Sequence, residues 1–211
     1  MSGAAWEWRA FAGARGLPDL TEATGDVADR FGVGSGTGGK ALVTEEVDAY
    51  LLIEGVRDNL KLRSGCLEIK RRVDDGAAAP LSQWADKEIW RFPLDRGRTE
   101  DLWASFATLR AGAAALATAD SFVAELRQRH EVVPIVVRKR RTRLELGAAR
   151  LELADVEVTG AAPLRSYCID GYDRGAVADT VTRSGLAGAA IVASYPELVH
   201  ALRSGALKAA S

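Results

Sequence analysis

The sequence predicts an α+β fold built on an antiparallel sheet. Strand-like segments, in which apolar and charged residues alternate, occupy both halves of the chain, and short turns join several of them. The helical segments come in blocks rather than after every strand, as they would in a doubly wound parallel sheet. No internal repeat or linker divides the sequence, so we expect its 211 residues to form one domain, 1–211.

The predicted elements follow from the spacing of apolar residues. Alternation or a short apolar run predicts strands over Trp6–Phe11, Val47–Ile53, Trp84–Phe92, Val132–Leu146, Leu151–Val158 and Leu164–Asp170. Helical spacing predicts helices over Leu17–Phe31, from Thr99 onward, and over Ala113–Arg129, Val177–Leu186 and Tyr195–Leu202.

A hairpin is predicted over Asp58–Arg72, whose sequence DNLKLRSGCLEIKRR holds two alternating strands joined by a Ser-Gly turn. By parity, Lys61 and Arg63 leave one face of the first strand, and Lys70 and Arg72 share a face of the second. Cationic side chains aligned on one face of a sheet either meet water or converge on an anion.

The densest charge run is in the strand at Val132–Leu146, which carries Arg138, Lys139, Arg140, Arg141 and Arg143. An alternating strand must project this run on both faces, so one set of cations can point inward while the other meets solvent. Alternation alone leaves open which set points inward.

The order of several short motifs resembles the CYTH, or triphosphate tunnel metalloenzyme, superfamily. The motifs are DAYLL (48–52), NLKLR (59–63), LEIKRR (67–72), VRKRR (137–141), LELADVEV (151–158) and SYPELVHAL (194–202). The resemblance spans most of the chain and implies an antiparallel, barrel-like tunnel with helices packed outside. It also implies basic residues that hold a triphosphate and acidic residues that bind magnesium or manganese. Members of the superfamily hydrolyse triphosphates or cyclise ATP.

Positions that match the basic strands of this tunnel are expected to bind the anion. A polyphosphate needs several cations at once, and arginine adds bidentate contacts to phosphate oxygens. The substrate-binding residues implied by the resemblance are Lys61, Arg63, Lys70, Arg72, Lys87, Arg138, Arg140 and Arg9. This set places Arg138 and Arg140 on the inner face, and a shift of one residue in that strand would place Lys139 and Arg141 there instead.

The carboxylates differ more from the superfamily pattern. Its first strand opens with two glutamates and a lysine at alternating positions, where this chain has Glu7, Arg9 and Phe11. Arg9 would then neutralise phosphate directly. The metal ligands that the resemblance leaves for Mg²⁺ or Mn²⁺ are Glu7, Asp155, Glu157 and Asp170.

A second phosphate-binding pattern lies in Gly32–Lys40, GVGSGTGGK, which has the spacing of a nucleotide-binding loop. Ala41 stands where the magnesium-binding hydroxyl belongs, and the segment lies between a predicted helix and a predicted strand rather than between strand and helix. A glycine-rich connector, Gly32–Gly39, explains the pattern better.

The remaining reactive residues carry no signature of their own. Cys66 and Cys168 are too few for a disulfide framework or a zinc site, which indicates reduced thiols in a cytoplasmic protein. His130 and His200 are expected at the surface. No apolar stretch is typical of a signal peptide or a membrane-spanning helix, so we expect a soluble protein without a membrane partner.

These patterns predict a CYTH-like protein that binds a phosphorylated anion, either a triphosphate or a polyphosphate. It would be a metal-dependent triphosphate phosphohydrolase if its carboxylates hold Mg²⁺ or Mn²⁺. The alternative is a non-catalytic ligand- or partner-binding protein on the same fold. A nucleic-acid-binding barrel that uses Arg138–Arg143 is disfavoured by the net charge of -1.

Overall fold

The computed structural model describes residues 3–15, 17–31, 43–73, 80–106, 108–109, 112, 115–186 and 191–206. The predicted connector Gly32–Gly39 lies outside these residues. Ten strands lie within the described part: β1 (Ala5–Gly13), β2 (Thr44–Ile53), β3 (Asn59–Arg63), β4 (Cys66–Lys70), β5 (Ser82–Trp84), β6 (Glu88–Arg91), β7 (Val132–Leu146), β8 (Ala149–Val158), β9 (Leu164–Gly171) and β10 (Ile191–Val192). Its five helices are α1 (Leu20–Arg30), α2 (Arg96–Ala104), α3 (Ala119–Arg127), α4 (Arg174–Ser184) and α5 (Tyr195–Arg203).

The strands form one antiparallel, barrel-like sheet, as the sequence predicts. Its order is β10-β1-β9-β8-β7-β2-β3-β4-β6, and β5 pairs with β1. Trp84 of β5 also forms an antiparallel bridge with Arg72, just beyond β4, and the Val73 amide donates to the Gln83 carbonyl at 2.9 Å. Through this junction the path of strands returns to β1, which gives the sheet an inner and an outer face.

The predicted hairpin Asp58–Arg72 is confirmed as β3 and β4. Ser64 and Gly65 form its turn with φ values of 48° and 73°. Two consecutive residues with positive φ match the right-handed twist of the flanking strands and fix their register. Lys61 is therefore directly opposite Glu68.

Helices cover the outer face in two places, where the strands present apolar residues. Under α2 and α3, the buried cluster includes Leu60, Leu67, Ile69, Leu102 and Phe122. Under α1 and α4, a second buried cluster is formed by Trp8, Leu20, Leu151, Ile169 and Val177. Because side chains alternate along a strand, this apolar packing forces the charged residues between them to the inner face.

Helix α5 packs against the inner face. Its Tyr195 stacks on Tyr50 with ring centroids 5.3 Å apart and meets Phe11 edge-on at 5.1 Å. Val137 and Leu198 are buried in the same cluster. The part of the interior next to α5 is therefore apolar and filled, and the charged residues line the remaining part.

Several predicted boundaries were wrong, three of them with a clear cause. The segment Trp84–Phe92 is two strands, because Trp84 pairs with β1 while the residues of β6 pair with β4. Helix α2 begins one turn before Thr99, since the Asp95 side chain accepts from the Arg98 amide at 2.8 Å and caps the helix there. The predicted helix over Ala113–Arg129 shortens to α3. No described helix is long and apolar enough to cross a membrane.

Candidate functional site

The inner face encloses a cavity of about 260 Å³ that is lined mainly by charged side chains. Four carboxylates line it, and two more, Glu46 and Asp48, contact its cations. The described side chains of this site therefore comprise nine cations and six carboxylates. If all of them are ionised, their net charge is +3. The nine cations are Arg9, Lys61, Arg63, Lys70, Lys87, Lys139, Arg141, Arg143 and Arg150.

Asp48 is the centre of the deepest charge cluster, and its side chain is fully buried. Arg63 binds it through two nitrogens at 2.6 and 2.9 Å, Lys139 Nζ lies 2.7 Å from Oδ2, and Lys61 Nζ lies 3.3 Å from it. Burial alone would raise the pKa of Asp48, but these three cations hold it well below its usual range. Three cations thus share one buried carboxylate.

Lys139 is almost fully enclosed by this cluster. Its ammonium donates to Asp48 and, at 2.7 Å, to the Tyr50 hydroxyl, and it lies 4.0 Å from the centre of the Tyr195 ring. Burial lowers the pKa of Lys139, Asp48 raises it and Lys61 lowers it, and the balance is a pKa of about 7.

A second cluster joins β1 to β4. Glu7 accepts from Arg9 Nε at 3.0 Å and from Lys70 Nζ at 2.7 Å. Arg9 also donates to the Ser166 hydroxyl at 2.9 Å and lies 4.6 Å from the centre of the Tyr195 ring. Burial would raise the pKa of Glu7, yet Lys70 and Arg9 lower it to about 2.

Glu152 connects β8 to the basic strand β7. It lies 3.0 Å from both Arg141 and Arg143 and 3.6 Å from Arg9. Although burial would raise the pKa of Glu152, these three arginines lower it to about 2. Arg141 also binds Glu46, which contacts Arg63 at 2.5 Å. The ion pairs therefore form one network around the inner face.

The lining cations differ in depth. Lys87, Arg143 and Arg150 are 44, 45 and 41% exposed, and Lys70 is 28% exposed. The other five are at most 18% exposed. An incoming anion would therefore meet the four outer cations first and the buried ones after losing its water.

Most of the predicted anion-binding residues lie on the inner face. Lys61, Arg63, Lys70, Lys87 and Arg9 all line the cavity. Arg72 lies beside it instead. It borders a smaller cavity of about 130 Å³ that also touches Glu7 and Arg9, and its guanidinium pairs with Glu197 at 2.7 Å.

The assignment of Arg138 and Arg140 to the inner face is wrong. Both are exposed on the outer face, and the alternative register, with Lys139 and Arg141 inside, is the correct one. The apolar residue Val137 sets this parity, because it packs inward against the aromatic cluster at α5. Every second residue after Val137 must then also face inward.

Several residues of the network were missed in the sequence. Asp48 and Glu46 were overlooked because β2 reads as an apolar strand. Arg150 and Glu152 are not among the predicted residues, because the resemblance places the carboxylates of this strand at Asp155 and Glu157 instead. The alternation along β8 could have revealed them, because Arg150 and Glu152 share a strand face with Ala154 and Val156, which point inward and are buried. The remaining residue of the network, Arg143, lies on the same face of β7 as Arg141.

The predicted metal ligands do not come together. Glu7 and Asp170 line the cavity, but Asp155 and Glu157 lie on the outer face, and this part of the prediction is wrong. Asp155 pairs there with Arg165 at 2.6 Å. The reason is again parity, since Ala154 and Val156 occupy the inward positions on either side.

The carboxylates that do face inward fit a divalent metal poorly. Mg²⁺ and Mn²⁺ need several oxygen ligands at fixed geometry. Here Glu7 is held by Lys70 and Arg9, and Asp170 is held by Arg150 at 2.5 Å. Within the described residues, no group of three or more histidine, cysteine or acidic side chains could hold a metal ion.

No family model matches the sequence, and no curated protein sequence matches it. Solved structures do resemble it. A candidate adenylate cyclase from Bacillus halodurans is 8% identical with a TM-score of 0.47, and the alignment covers 89% of this chain and 92% of that one. A candidate adenylyl cyclase from Hippeastrum, described as having a dominant triphosphatase activity, is 14% identical with a TM-score of 0.45 and coverages of 98 and 97%.

A conserved hypothetical protein of Pyrococcus furiosus is also similar, with 12% identity, a TM-score of 0.45 and coverages of 86 and 90%. At these identities and TM-scores the likeness concerns the course of the chain, and no residue role follows from it. The role of the cavity depends on its own side chains.

Proposed function

We propose that the cavity binds a phosphorylated anion, a triphosphate or a short polyphosphate. The observation that carries this proposal is the excess of cations over carboxylates, nine against six, among the side chains that line one cavity or contact its lining. A triphosphate carries several negative charges on a compact chain of oxygens. Bound there, it would balance this excess of positive charge.

The arrangement of the cations suits phosphate oxygens. Arg63 and Arg141 supply planar guanidinium groups from opposite sides of Glu46, and arginine forms paired hydrogen bonds to phosphate. Because these groups are already held by carboxylates, little side-chain entropy is lost when the anion binds. A charge-assisted hydrogen bond at such a site contributes about 1.5–3 kcal/mol.

Binding without metal-dependent hydrolysis is the form of this function that the carboxylates favour. Each carboxylate that lines the described cavity contacts a cation, and Arg9 lies 3.0 Å from Glu7, where a metal would have to be coordinated. A guanidinium beside the phosphates repels a divalent cation from that position.

Calorimetric titration with tripolyphosphate tests the binding site. The double variant Lys61→Gln/Arg63→Gln should lose about a hundredfold in affinity, since two charge-assisted bonds are removed. The matched control Arg138→Gln/Arg140→Gln removes the same charge from the outer face and should stay within about twofold of wild type.

The single variant Arg143→Gln, at the exposed edge of the cavity, covers the case in which the inner double variant does not fold. It should weaken binding about tenfold. Equal losses for inner and outer variants would contradict the proposal, because they would indicate only a general attraction of anions to the protein. Absence of binding to the wild type would also overturn it.

Phosphate release from triphosphates, measured with Mg²⁺, with Mn²⁺ and with chelator, tests catalysis separately. We expect tripolyphosphate to bind and no release that depends on metal. Steady turnover with manganese would establish a metal-dependent hydrolase and refute the non-catalytic form, while leaving the binding site in place.

A further inference from the structure

Lys139 is the least exposed of the cations that line the described cavity, with 4% of its side chain accessible. Its nearest negative charge is Asp48, which it shares with Lys61 and Arg63. Lys61 also contacts Glu68 at 3.2 Å and Arg63 contacts Glu46 at 2.5 Å, whereas Asp48 is the one carboxylate among the described residues that pairs with Lys139. The charge of Lys139 is therefore the least compensated of the three, and loss of its proton lowers the repulsion within the cluster.

The groups around Lys139 come from its own strand and six other elements. The negative charges facing it are Asp48 and, farther away, Glu152. Tyr50 and Tyr195 are neutral, because burial raises the pKa of both phenols, and burial likewise raises the pKa of the Cys168 thiol. The positive charges are those of Lys61, Arg63, Arg9 and Arg141.

We propose that anion binding in the cavity is coupled to protonation of Lys139, so that the protein takes up a proton together with its anion. This inference rests on the proposed function, since it concerns the same cavity. The anion supplies the negative charge that the cluster lacks. Once it is bound, the ammonium form of Lys139 is compensated, and an acidic medium strengthens binding.

The direction of the coupling follows from linkage. In the free protein Lys139 has a pKa of about 7, so it is partly neutral at physiological pH. A bound anion raises that pKa, and by reciprocity protonation raises the affinity for the anion. If the bound-state pKa is two units higher, affinity should fall about tenfold between about pH 6 and pH 8.

Inorganic sulfate is the appropriate probe, because its charge does not change in this pH range. Wild-type protein should bind sulfate about tenfold more tightly at about pH 6 than at pH 8. Titrations at neutral pH in two buffers that differ in ionisation enthalpy should show uptake of about half a proton per sulfate.

Two variants isolate Lys139. Lys139→Arg keeps a permanent positive charge and should bind sulfate with little dependence on pH. Lys139→Met removes the titrating group and should bind weakly at both pH values. In the matched control Lys87→Met, a half-exposed lysine of the same cavity is lost, so affinity should fall while the pH dependence persists.

The possible failures are distinguishable. If neither sulfate nor tripolyphosphate binds at either pH, the proposed function is wrong and the coupling falls with it. If anion binds but wild type shows no pH dependence, or Lys139→Arg keeps the wild-type dependence, only the coupling is wrong. If only tripolyphosphate binds, the difference in proton uptake between wild type and Lys139→Arg decides, because the anion's own protons cancel.

Discussion

Replacement of Asp48 by asparagine should destabilise the protein strongly. The side chain is fully buried and its two oxygens accept from Arg63, Lys139 and Lys61 at distances of 2.6 to 3.3 Å. Asparagine has nearly the same shape but carries no charge. Three cations would then remain in an enclosed space without their common counter-ion.

The magnitude follows from the cost of an uncompensated buried charge. Removing one partner of a buried ion pair typically costs about 3–5 kcal/mol, and we expect a loss in that range. Deprotonation of Lys139 would remove part of the repulsion among the three cations, since the pKa of Lys139 is already about 7 and would fall further without the carboxylate. The loss should therefore be smaller at about pH 9 than at pH 6.

Urea unfolding at both pH values measures this free energy. The matched control is Glu45→Gln, which removes the same charge from an exposed position on the outer face of the same strand. It should change the free energy of unfolding by no more than about 0.5 kcal/mol. Excess tripolyphosphate should stabilise Asp48→Asn, because the anion replaces the missing negative charge.

The result that would refute this reasoning is an Asp48→Asn variant within about 1 kcal/mol of wild type. The inner cations would then be compensated by solvent rather than by the network. A loss equal to that of Glu45→Gln would have the same meaning.

Three further predictions concern acid stability, the hairpin turn and metals. The folded-state pKa of Glu152 is about 2, below its ordinary value, so the stability that its carboxylate contributes is complete above about pH 5 and is lost as the pH falls. In urea unfolding, wild type should lose stability between about pH 5.5 and pH 3, and Glu152→Gln should reduce that loss by about 2 kcal/mol. An equal loss in both proteins would contradict this prediction. Gly65→Ala should lower the free energy of unfolding by about 1 kcal/mol, because φ at Gly65 is 73°. Gly13→Ala should lower it less, because Gly13 does not have a positive φ. Equal losses would exclude the turn conformation as the cause. Without anion, the melting temperature should agree within about 1 °C in Mn²⁺ and in chelator, and a rise of several degrees with Mn²⁺ would reveal a metal site.

The elements themselves could largely be predicted, because their causes are local. Alternation identified the hairpin over Asp58–Arg72 and the inward parity of Lys61 and Lys70. Its Ser-Gly turn was recognisable, since few residue pairs accept two positive φ values. The helix start at Asp95 was missed because a downstream threonine followed by acids is an equally good local cap.

The faces of β7 show where local signals stop. Arg138, Lys139, Arg140 and Arg141 put charge on both faces, so alternation alone could not say which set points inward. Burial of Val137 against the aromatic cluster of α5 decides it. That contact joins elements far apart in the chain and depends on how the sheet curls.

The sequence by itself determined which residues share a strand face, because neighbouring side chains must alternate, and it indicated a basic inner surface. Only the tertiary structure decided which carboxylates meet which cations. Asp48 and Lys139 are 91 residues apart, yet their atoms lie 2.7 Å from each other. The charge balance of the cavity follows from those long-range pairings, and so do its misfit to a metal and the partly neutral state of Lys139. The physical reason is that Coulomb interactions depend on distance in space and on burial rather than on position along the chain.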